Sequence, residues 1–195
     1  MELHSDFLVI GGGIAGLSFA IRASELGSVA VLTKREYLES NTQYAQGGIA
    51  AVWDTIQDSF ESHIQDTHIA GAGLCRPDAV QLTVRSAPER IRELIAFGVQ
   101  FSKRDEEPRD EYDLGREGGH SERRILHAKD LTGQEILRGL YEKARSIPSI
   151  RFYEHHAAID LVTTERLGLP GPSQVVAAYV LDTRSNQVST FRAQV

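Results

Sequence analysis

Three glycines near the N-terminus have the spacing of a site that binds the phosphates of a dinucleotide. They belong to a G-x-G-x-x-G motif. The first glycine of such a motif permits a tight turn, the second lets the backbone approach a pyrophosphate, and the third lets a helix pack close to a strand. The phosphate charge would face free N–H groups at the helix N-terminus. The motif therefore predicts a dinucleotide-binding turn, formed by Gly11, Gly12, Gly13, Ile14, Ala15 and Gly16.

The segments on either side of the motif have the patterns that such a turn needs. Residues 7–10 form a continuous apolar run, as in a buried parallel strand. A helical pattern then extends to Gly27, a residue type that commonly ends helices, and residues 29–32 form a second apolar run. Strand, turn, helix and strand together predict a βαβ unit over residues 6–34.

The end of the second strand departs from the pattern of NAD-binding proteins. Those proteins have an acidic residue about 20 positions after the motif, and this residue binds the ribose. Here the strand ends at Thr33 and Lys34, and Glu36 lies past the strand end. Two interpretations of Lys34 remain open: it contacts a ribose or a phosphate, or it is a solvated lysine at a strand end.

The rest of the chain divides into three regions with different patterns. Residues 35–56 lack regular periodicity and predict a functional loop. Residues 57–147 predict helices, with a restart at a capping box in residues 86–89 and a later helix capped by Thr132. Residues 150–195 alternate with a period of two and predict strands that include an antiparallel meander. The predicted fold is therefore α/β and Rossmann-like, with a parallel sheet and an added meander.

Composition and charge exclude several classes of protein. The net charge is −6, from 21 basic and 27 acidic residues, which leaves no basic face for nucleic acid. No apolar run approaches the roughly 18 residues of a membrane span, and residues 1–6 lack the basic start of a secretion signal. The single cysteine excludes a disulfide framework, and no paired motif indicates a metal site. We therefore predict a cytoplasmic protein without nucleic-acid or membrane partners.

Several segments outside the glycine motif resemble the flavoprotein family of succinate dehydrogenase and fumarate reductase. The resemblance covers essentially all 195 residues. These segments are more specific than the motif, which many families share. They are Leu32-Thr33-Lys34, Thr42 with Ala45-Gln46-Gly47-Gly48, residues 66–75, residues 116–121 and residues 123–128. The resemblance implies that residues 1–195 form part of a Rossmann-like FAD-binding domain.

Two positions distinguish the branches of this family. The dehydrogenases and reductases have a histidine before the cofactor loop that bonds covalently to the flavin, whereas this chain has Asn41. The resemblance therefore implies non-covalent FAD. The same relatives have a phenylalanine before the later glycine pair, whereas this chain has Glu117. A carboxylate there would repel succinate but would pair with the ammonium of aspartate, which favours an amino-acid substrate.

The resemblance also implies which residues surround the ligands. Glu117 would line the substrate pocket, and His120 is a second candidate for this role. The adenine would lie against the backbone of Ala157 and Ala158. The other cofactor contacts would come from residues 12–15, Lys34, Asn41, Thr42, Gln43, Tyr44, Ala45, Gln46, Gly47 and Gly48.

A reaction follows from the resemblance as well. The branch with an amino-acid substrate oxidises L-aspartate to iminoaspartate, passes the electrons to dioxygen or fumarate, and so begins NAD biosynthesis with quinolinate synthase as the next enzyme. The family's catalytic arginine and its other substrate-binding arginines and histidines would follow residue 195, as would the capping and C-terminal helical domains. Because residues 192–195 end within a strand pattern, we predict a truncated chain. We predict no catalytic residue in it and no turnover by residues 1–195 alone.

Two alternatives remain open from the sequence. One is a flavoprotein like succinate dehydrogenase or fumarate reductase, which Asn41 and Glu117 disfavour. The other is a non-catalytic dinucleotide-binding module, which the short length and the missing base favour. Outside the motifs, Arg123 and Arg124 are interpreted as surface residues, and His63 as a surface or packing residue.

Overall fold

The computed structural model of the chain has four helices and ten strands in the part that it describes. That part comprises residues 2–37, 39–105, 111–129 and 131–195. In chain order the elements are β1 (Glu2–His4), β2 (Phe7–Ile10), α1 (Ile14–Ala23), β3 (Val29–Thr33), β4 (Ile49–Ala50), α2 (Phe60–Ala70), α3 (Pro77–Ala96), β5 (Leu114–Gly115), β6 (Ile125–Leu126), α4 (Thr132–Arg145), β7 (Ile150–Glu154), β8 (His156–Thr163), β9 (Val175–Asp182) and β10 (Gln187–Arg192).

The chain divides into two compact units. The first consists of Met1–Gln43 and Leu140–Val195, and the second of Tyr44–Gly139. Helix α4 begins in the second unit and ends in the first. The predicted cofactor loop also crosses the boundary, with residues up to Gln43 in the first unit and residues from Tyr44 in the second.

The first unit contains the predicted βαβ arrangement. Strands β2, β3 and β7 form a parallel sheet, in which Val9 lies opposite Val31 and Val31 lies opposite Phe152. All five residues of β3 are buried, as expected for the central strand of a parallel sheet. Strand β7 belongs to this sheet and not to the antiparallel meander, because it pairs in parallel with β3.

The predicted meander is formed by β8, β9 and β10, and β1 joins it as a parallel edge strand. Ala178, Val180 and Phe191 of this sheet share a hydrophobic core with Ala30 and Leu32 of β3. Complete burial of a large apolar side chain contributes about 1.5–3 kcal/mol. The two sheets of the first unit are therefore held together by one core, and the predicted α/β fold class is confirmed.

Helix α1 ends earlier than the sequence predicts. Its last residue is Ala23, and Ser24 follows as a C-cap in the right-handed conformation. Gly27 therefore does not end the helix, and it is not among the glycines with positive φ. A glycine is needed there for a different reason, because an added Cβ would lie 2.6 Å from Asp6 Oδ2.

The second unit contains α2, α3 and a small antiparallel sheet in the order β4, β6, β5. The predicted helix restart at residues 86–89 is wrong, because α3 continues through Pro88. Val84, Pro88 and Ile91 are buried and follow one another at helical spacing. Burial of this continuous apolar face outweighs the loss of one backbone hydrogen bond at the proline.

The predicted cap of α4 is also wrong. Thr132 is the first residue of the helix and does not precede it, and its Oγ1 accepts a hydrogen bond from Ala128 N–H at 3.0 Å. The Glu135 N–H, which a capping box would direct to the threonine, donates to the Leu131 carbonyl at 3.1 Å. The Glu135 carboxylate accepts a hydrogen bond from Gln100 N–H instead, at 2.8 Å. Tertiary contacts thus replace the local pattern.

Candidate functional site

The glycine motif forms the turn between β2 and α1 in the first unit. Gly11 has a φ of +114°, a conformation that favours glycine, and its N–H donates to the Leu32 carbonyl at 2.9 Å. Gly16 has no room for a side chain, because an added Cβ would lie 2.0 Å from the Gly11 carbonyl oxygen. Helix α1 therefore packs directly on the turn, as the motif predicts.

The first turn of α1 faces the loop that follows β3. Gly13, the N-cap residue, makes no side-chain capping bond, and the first turn has no acidic residue. Ile14 N–H donates to Thr42 Oγ1 at 3.2 Å, which places Thr42 of the predicted cofactor loop at the motif. The positive end of the helix dipole and the N–H groups of this turn form a position suited to a phosphate.

Two buried polar atoms of the same loop have no hydrogen-bond partner within the described part of the chain. They are Ser40 Oγ and Gln43 Oε1. A buried polar atom without a partner costs about 1–3 kcal/mol, and a ligand with hydroxyl or amide groups removes that cost. Lys34 lies exposed directly after β3. A ligand with phosphates, sugar hydroxyls and an amide-bearing ring matches this set of groups, and FAD is such a ligand.

The remaining predicted cofactor residues lie on the surface or in the antiparallel sheet. Asn41, Tyr44 and Gln46 are exposed. Ala157 and Ala158 lie near the start of β8, which belongs to the meander. Contacts of these residues with a cofactor stay predictions.

In the second unit, the glycine pair of the loop packs against the segment that carries Glu117. Gly48 N–H donates to Glu117 Oε1 at 3.3 Å. An added Cβ at Gly47 would also lie 3.3 Å from Glu117 Oε1. An added Cβ at Gly48 would lie 2.3 Å from Ile125 Cγ2, so this position has no room for a side chain. The structure thus brings the predicted substrate residue to the glycine pair of the cofactor loop.

Glu117 and His120 are the first and last residues of one tight turn. His120 N–H donates to the Glu117 carbonyl at 3.2 Å, and Gly119 within the turn has a φ of +84°. The ring centroids of His120 and His63 of α2 are 5.5 Å apart. Their Nδ1 atoms are buried and have no hydrogen-bond partner among the residues that the structure describes. Both predicted substrate residues therefore lie on one turn, beside a buried histidine.

His63 is uncharged near neutral pH. Its exposed fraction is 5%, and this burial lowers the pKa of its imidazole. The nearby Arg124 guanidinium lowers that pKa further, as does the neighbouring imidazole of His120. Asp58 and Asp66 act in the opposite direction but have smaller effects. A proton on His63 is therefore less stable in the folded protein than in the unfolded chain.

We expect acid to destabilise the protein in the range where histidines titrate. Below about pH 6.5 the unfolded chain binds a proton at His63, whereas the folded protein binds it only at lower pH. The free energy of unfolding should therefore decrease as the pH falls below about 6.5, and His63→Phe should weaken this dependence. Urea unfolding at several pH values measures how the free energy of unfolding changes with pH in the wild type and in the variant. His68→Phe on the same helix is the control, and equal slopes for His63→Phe and the wild type would contradict the prediction.

Arg124 is wrongly predicted as a surface residue, because its side chain is 0% exposed. Its guanidinium donates to Asp58 twice, from Nε to Oδ2 at 2.8 Å and from Nη2 to Oδ1 at 2.7 Å. Nη1 donates to Asp66 Oδ2 at 2.7 Å, and Nη2 also donates to Ser62 Oγ at 3.0 Å. The hydroxyl oxygens of Ser62 and Ser121 are 3.0 Å apart. These five residues are called the Arg124 cluster below.

A signal for this cluster is present in the sequence around α2. Asp58, Ser62 and Asp66 recur every four residues, so they lie on the same side of the helix and its N-terminal end. Two acidic residues on a side that becomes buried need a cation. The sequence pattern does not reveal which cation, because Arg124 is 58 positions away from Asp66.

Comparison with known proteins shows the family of the chain. Residues 6–195 match the model of a family described as the FAD binding domain. The chain belongs to this family. The FAD-binding fold predicted from the glycine motif and the loop segments is therefore confirmed.

The FAD-binding domain is similar to part of several L-aspartate oxidases. It is 48% identical to that of Pseudomonas aeruginosa over 193 residues, which are 97% of this chain and 36% of that protein. It is 52% identical to L-aspartate oxidase 2-b, chloroplastic, of Nicotiana tabacum over 162 residues, which are 83% of this chain and 24% of that protein. The chain thus spans about a third or less of the length of these relatives.

Solved structures of the domain's relatives have the same fold. A variant of the FrdA subunit of E. coli quinol fumarate reductase matches with a TM-score of 0.88 and 28% identity, over 100% of this chain and 32% of that one. The Sdh1 complex of Mycobacterium smegmatis matches with a TM-score of 0.85 and 26% identity, over 100% of this chain and 34% of that one. The predicted resemblance to the family of succinate dehydrogenase and fumarate reductase is confirmed.

Gly16→Ala should prevent the natural-length flavoprotein from retaining FAD. The new methyl group would overlap the Gly11 carbonyl oxygen, so α1 would have to move away from the turn. We expect the ratio of flavin to protein absorbance after purification to fall by at least about tenfold, which corresponds to ~1.4 kcal/mol of binding. Gly118→Ala is the control, because an added Cβ there has nothing within 4 Å. Full retention of FAD by Gly16→Ala would contradict the close contact.

The described ranges of the domain contain neither a membrane-spanning helix nor a cluster of metal ligands. No helix within them is long and apolar enough to cross a membrane. No group of three or more histidine, cysteine, aspartate and glutamate side chains within them is placed to hold a metal ion. The single cysteine, Cys75, packs against Gly71, where an added Cβ would lie 2.1 Å from its Sγ.

Proposed function

We propose that the chain is the FAD-binding part of an L-aspartate oxidase, an enzyme that oxidises L-aspartate to iminoaspartate. The observation that carries the proposal is the position of Glu117. Its carboxylate accepts a hydrogen bond from Gly48 N–H, so an acidic side chain lies at the glycine pair of the cofactor loop. Identities of 42–52% to L-aspartate oxidases support the same assignment.

The charge of Glu117 favours an amino acid over a plain dicarboxylate. L-aspartate and succinate both carry two carboxylates, and L-aspartate also carries an ammonium group. A fixed carboxylate repels the acidic groups of both molecules but attracts the ammonium of aspartate. Specificity arises from the difference between the binding free energies of the two molecules. Glu117 therefore accounts for selection of L-aspartate against succinate.

The first unit would hold FAD without a covalent bond. The turn of residues 11–16 and the N-terminus of α1 would bind the pyrophosphate, and Lys34 a ribose or a phosphate. The buried polar atoms of Ser40 and Gln43 would bind hydroxyl or amide groups. Asn41 has an amide in place of the imidazole that forms the covalent bond in relatives. When bound, FAD supplies the two-electron oxidation chemistry of the reaction.

The second unit would contribute to substrate binding. Glu117 binds the substrate ammonium, and His120 of the same turn binds a substrate carboxylate. Gly47 and Gly48 have no side chains, so a ligand can approach their backbone closely. We assign no catalytic base to this chain and place it in the further length that the relatives have.

The proposal includes the acceptor and the metabolic role. Dioxygen or fumarate receives the electrons, and the product, iminoaspartate, enters NAD biosynthesis as a substrate of quinolinate synthase. We place the enzyme in the cytoplasm. The plant relatives are described as chloroplastic.

The second candidate is a flavoprotein that interconverts succinate and fumarate. The similarity to quinol fumarate reductase favours it, with a TM-score of 0.88 over the whole chain. Asn41 and Glu117 oppose it, since the resemblance places a histidine and a phenylalanine at these positions in the dehydrogenases and reductases. Sequence identity also favours the oxidases, at 48% against 28%.

Oxygen uptake by the purified protein at its natural length tests the proposal. We expect uptake with L-aspartate and none with succinate. Iminoaspartate hydrolyses to oxaloacetate and ammonia, so ammonia should appear in step with the uptake. Oxidation of succinate, with L-aspartate unchanged, would overturn the proposal in favour of the second candidate.

A further inference from the structure

The turn of Glu117 and His120 is anchored by an acidic residue of α2. Asp66 Oδ2 accepts hydrogen bonds from Ser121 N–H at 2.8 Å, from the Ser121 hydroxyl at 2.8 Å and from Arg124 Nη1 at 2.7 Å. Ser121 directly follows His120 in the chain. One carboxylate oxygen therefore holds the residue after the turn and the buried guanidinium together.

The donor and the acceptor of each hydrogen bond in this anchor can be assigned. Arg124 donates to Ser62 Oγ and Ser121 donates to Asp66 Oδ2. The Ser62 hydroxyl is therefore left to donate to Ser121 Oγ, which lies 3.0 Å away. Burial alone would raise the pKa of the Asp66 carboxyl, but the hydrogen bonds from Ser121 and Arg124 together lower it. Asp66 is thus a carboxylate, able only to accept, and the Ser121 hydroxyl points to it.

The other anchor of the turn is weaker and involves the substrate residue itself. The Glu117 carboxylate accepts from Gly48 N–H at 3.3 Å. In the proposed function the same carboxylate binds the substrate ammonium, so the two donors would share it. The contact between Ser121 and Asp66 does not use that carboxylate, so a substrate bound to Glu117 does not compete for it. It is therefore an anchor that can hold Glu117 and His120 in place while the substrate binds.

We propose that Ser121 is a positioning residue for the substrate-binding turn and that Asp66 acts through it. This inference rests on the proposed function, because Glu117 is the substrate contact that Ser121 positions. Without its hydroxyl, the segment retains only one backbone hydrogen bond to Asp66. Glu117 and His120 would then occupy a wider range of positions, and the amino acid would bind less tightly.

Ser121→Ala in the natural-length flavoprotein is the first test. We expect the KM for L-aspartate to rise about threefold to tenfold with kcat unchanged, because binding must then order the turn. The melting temperature should fall by only a few degrees, because Ser121 is exposed. Ser121→Thr keeps a hydroxyl and should restore the wild-type KM. Glu61→Gln is the matched control, because it removes an exposed ion pair between α2 and Arg85 and should leave the KM unchanged.

A double-mutant cycle separates positioning from a merely structural role. If Ser121 acts through the turn, Ser121→Ala should raise the KM less in a Glu117→Gln background than in the wild type, because only the contact of His120 is then left to position. The same rise in both backgrounds would overturn the inference, and so would an unchanged KM for Ser121→Ala alone. Neither result would affect the proposed function. A Glu117→Gln variant with an unchanged KM would overturn the inference and the assigned role of Glu117. A wild-type protein that does not oxidise L-aspartate would overturn both the inference and the proposed function.

Discussion

Arg124→Met should lower the free energy of unfolding by about 3–5 kcal/mol, the usual cost of removing one partner from a buried ion pair. The side chain of Asp58 is 2% exposed and that of Asp66 is 14% exposed. Without the guanidinium, these two carboxylates would remain near each other without a cation. Urea unfolding measures the effect as a lower midpoint at an unchanged slope.

Arg123→Met is the matched control for this experiment. Arg123 precedes Arg124 directly, but its side chain is 66% exposed and lies 3.9 Å from Asp113. Such surface pairs contribute about 0–1 kcal/mol, so the midpoint should move little. The unfolding midpoint of Arg124→Lys should lie between those of Arg124→Met and Arg123→Met, because an ammonium cannot form the paired hydrogen bonds to Asp58. Equal midpoints for Arg124→Met and Arg123→Met would contradict the structure of the cluster.

Glu117→Gln should raise the KM for L-aspartate by about 10- to 100-fold. Hydrogen bonds to charged groups contribute about 1.5–3 kcal/mol, and the amide keeps the size of the side chain but not its charge. Loss of the negative charge also removes the repulsion of succinate, so binding of succinate should become tighter. Steady-state kinetics with L-aspartate, together with inhibition by succinate, measures both effects.

Glu111→Gln is the control for Glu117→Gln. Glu111 forms a surface ion pair with Arg104 at 2.9 Å, and both side chains are about half exposed. The same change of charge at this position should leave the KM for L-aspartate and the inhibition constant of succinate near their wild-type values. A Glu117→Gln variant whose KM for L-aspartate equals that of Glu111→Gln would contradict the assigned role of the carboxylate.

Local features of the sequence were sufficient to predict the dinucleotide turn. A glycine motif between an apolar run and a helical pattern specifies its own geometry, as Gly11 and Gly16 show. The strands of the meander were predictable for the same reason, because side chains alternate between the two faces of a strand and so give the sequence a period of two. The pairing partner of each strand could not be predicted. Strand β7 has the same pattern as the meander strands but pairs with β3, which lies 117 or more positions before it in the chain.

The features that could not be predicted from the sequence depend on contacts between distant residues. Arg124 looks like a surface residue beside Arg123, and only the approach of Asp58 and Asp66 makes its burial possible. Pro88 signals a helix start, but the buried face of α3 outweighs that signal. Glu117 lacks any local mark of function, and it gained a role only from the family resemblance. Its contact with Gly48, 69 positions away, supports that role.

The most direct test of the proposed oxidase uses the visible spectrum of the natural-length protein without oxygen. L-aspartate is added to one sample and succinate to another, and loss of the flavin absorption band reports reduction. We predict that L-aspartate alone removes the band. Loss of the band with succinate alone, or an unchanged band with both compounds, would contradict the account.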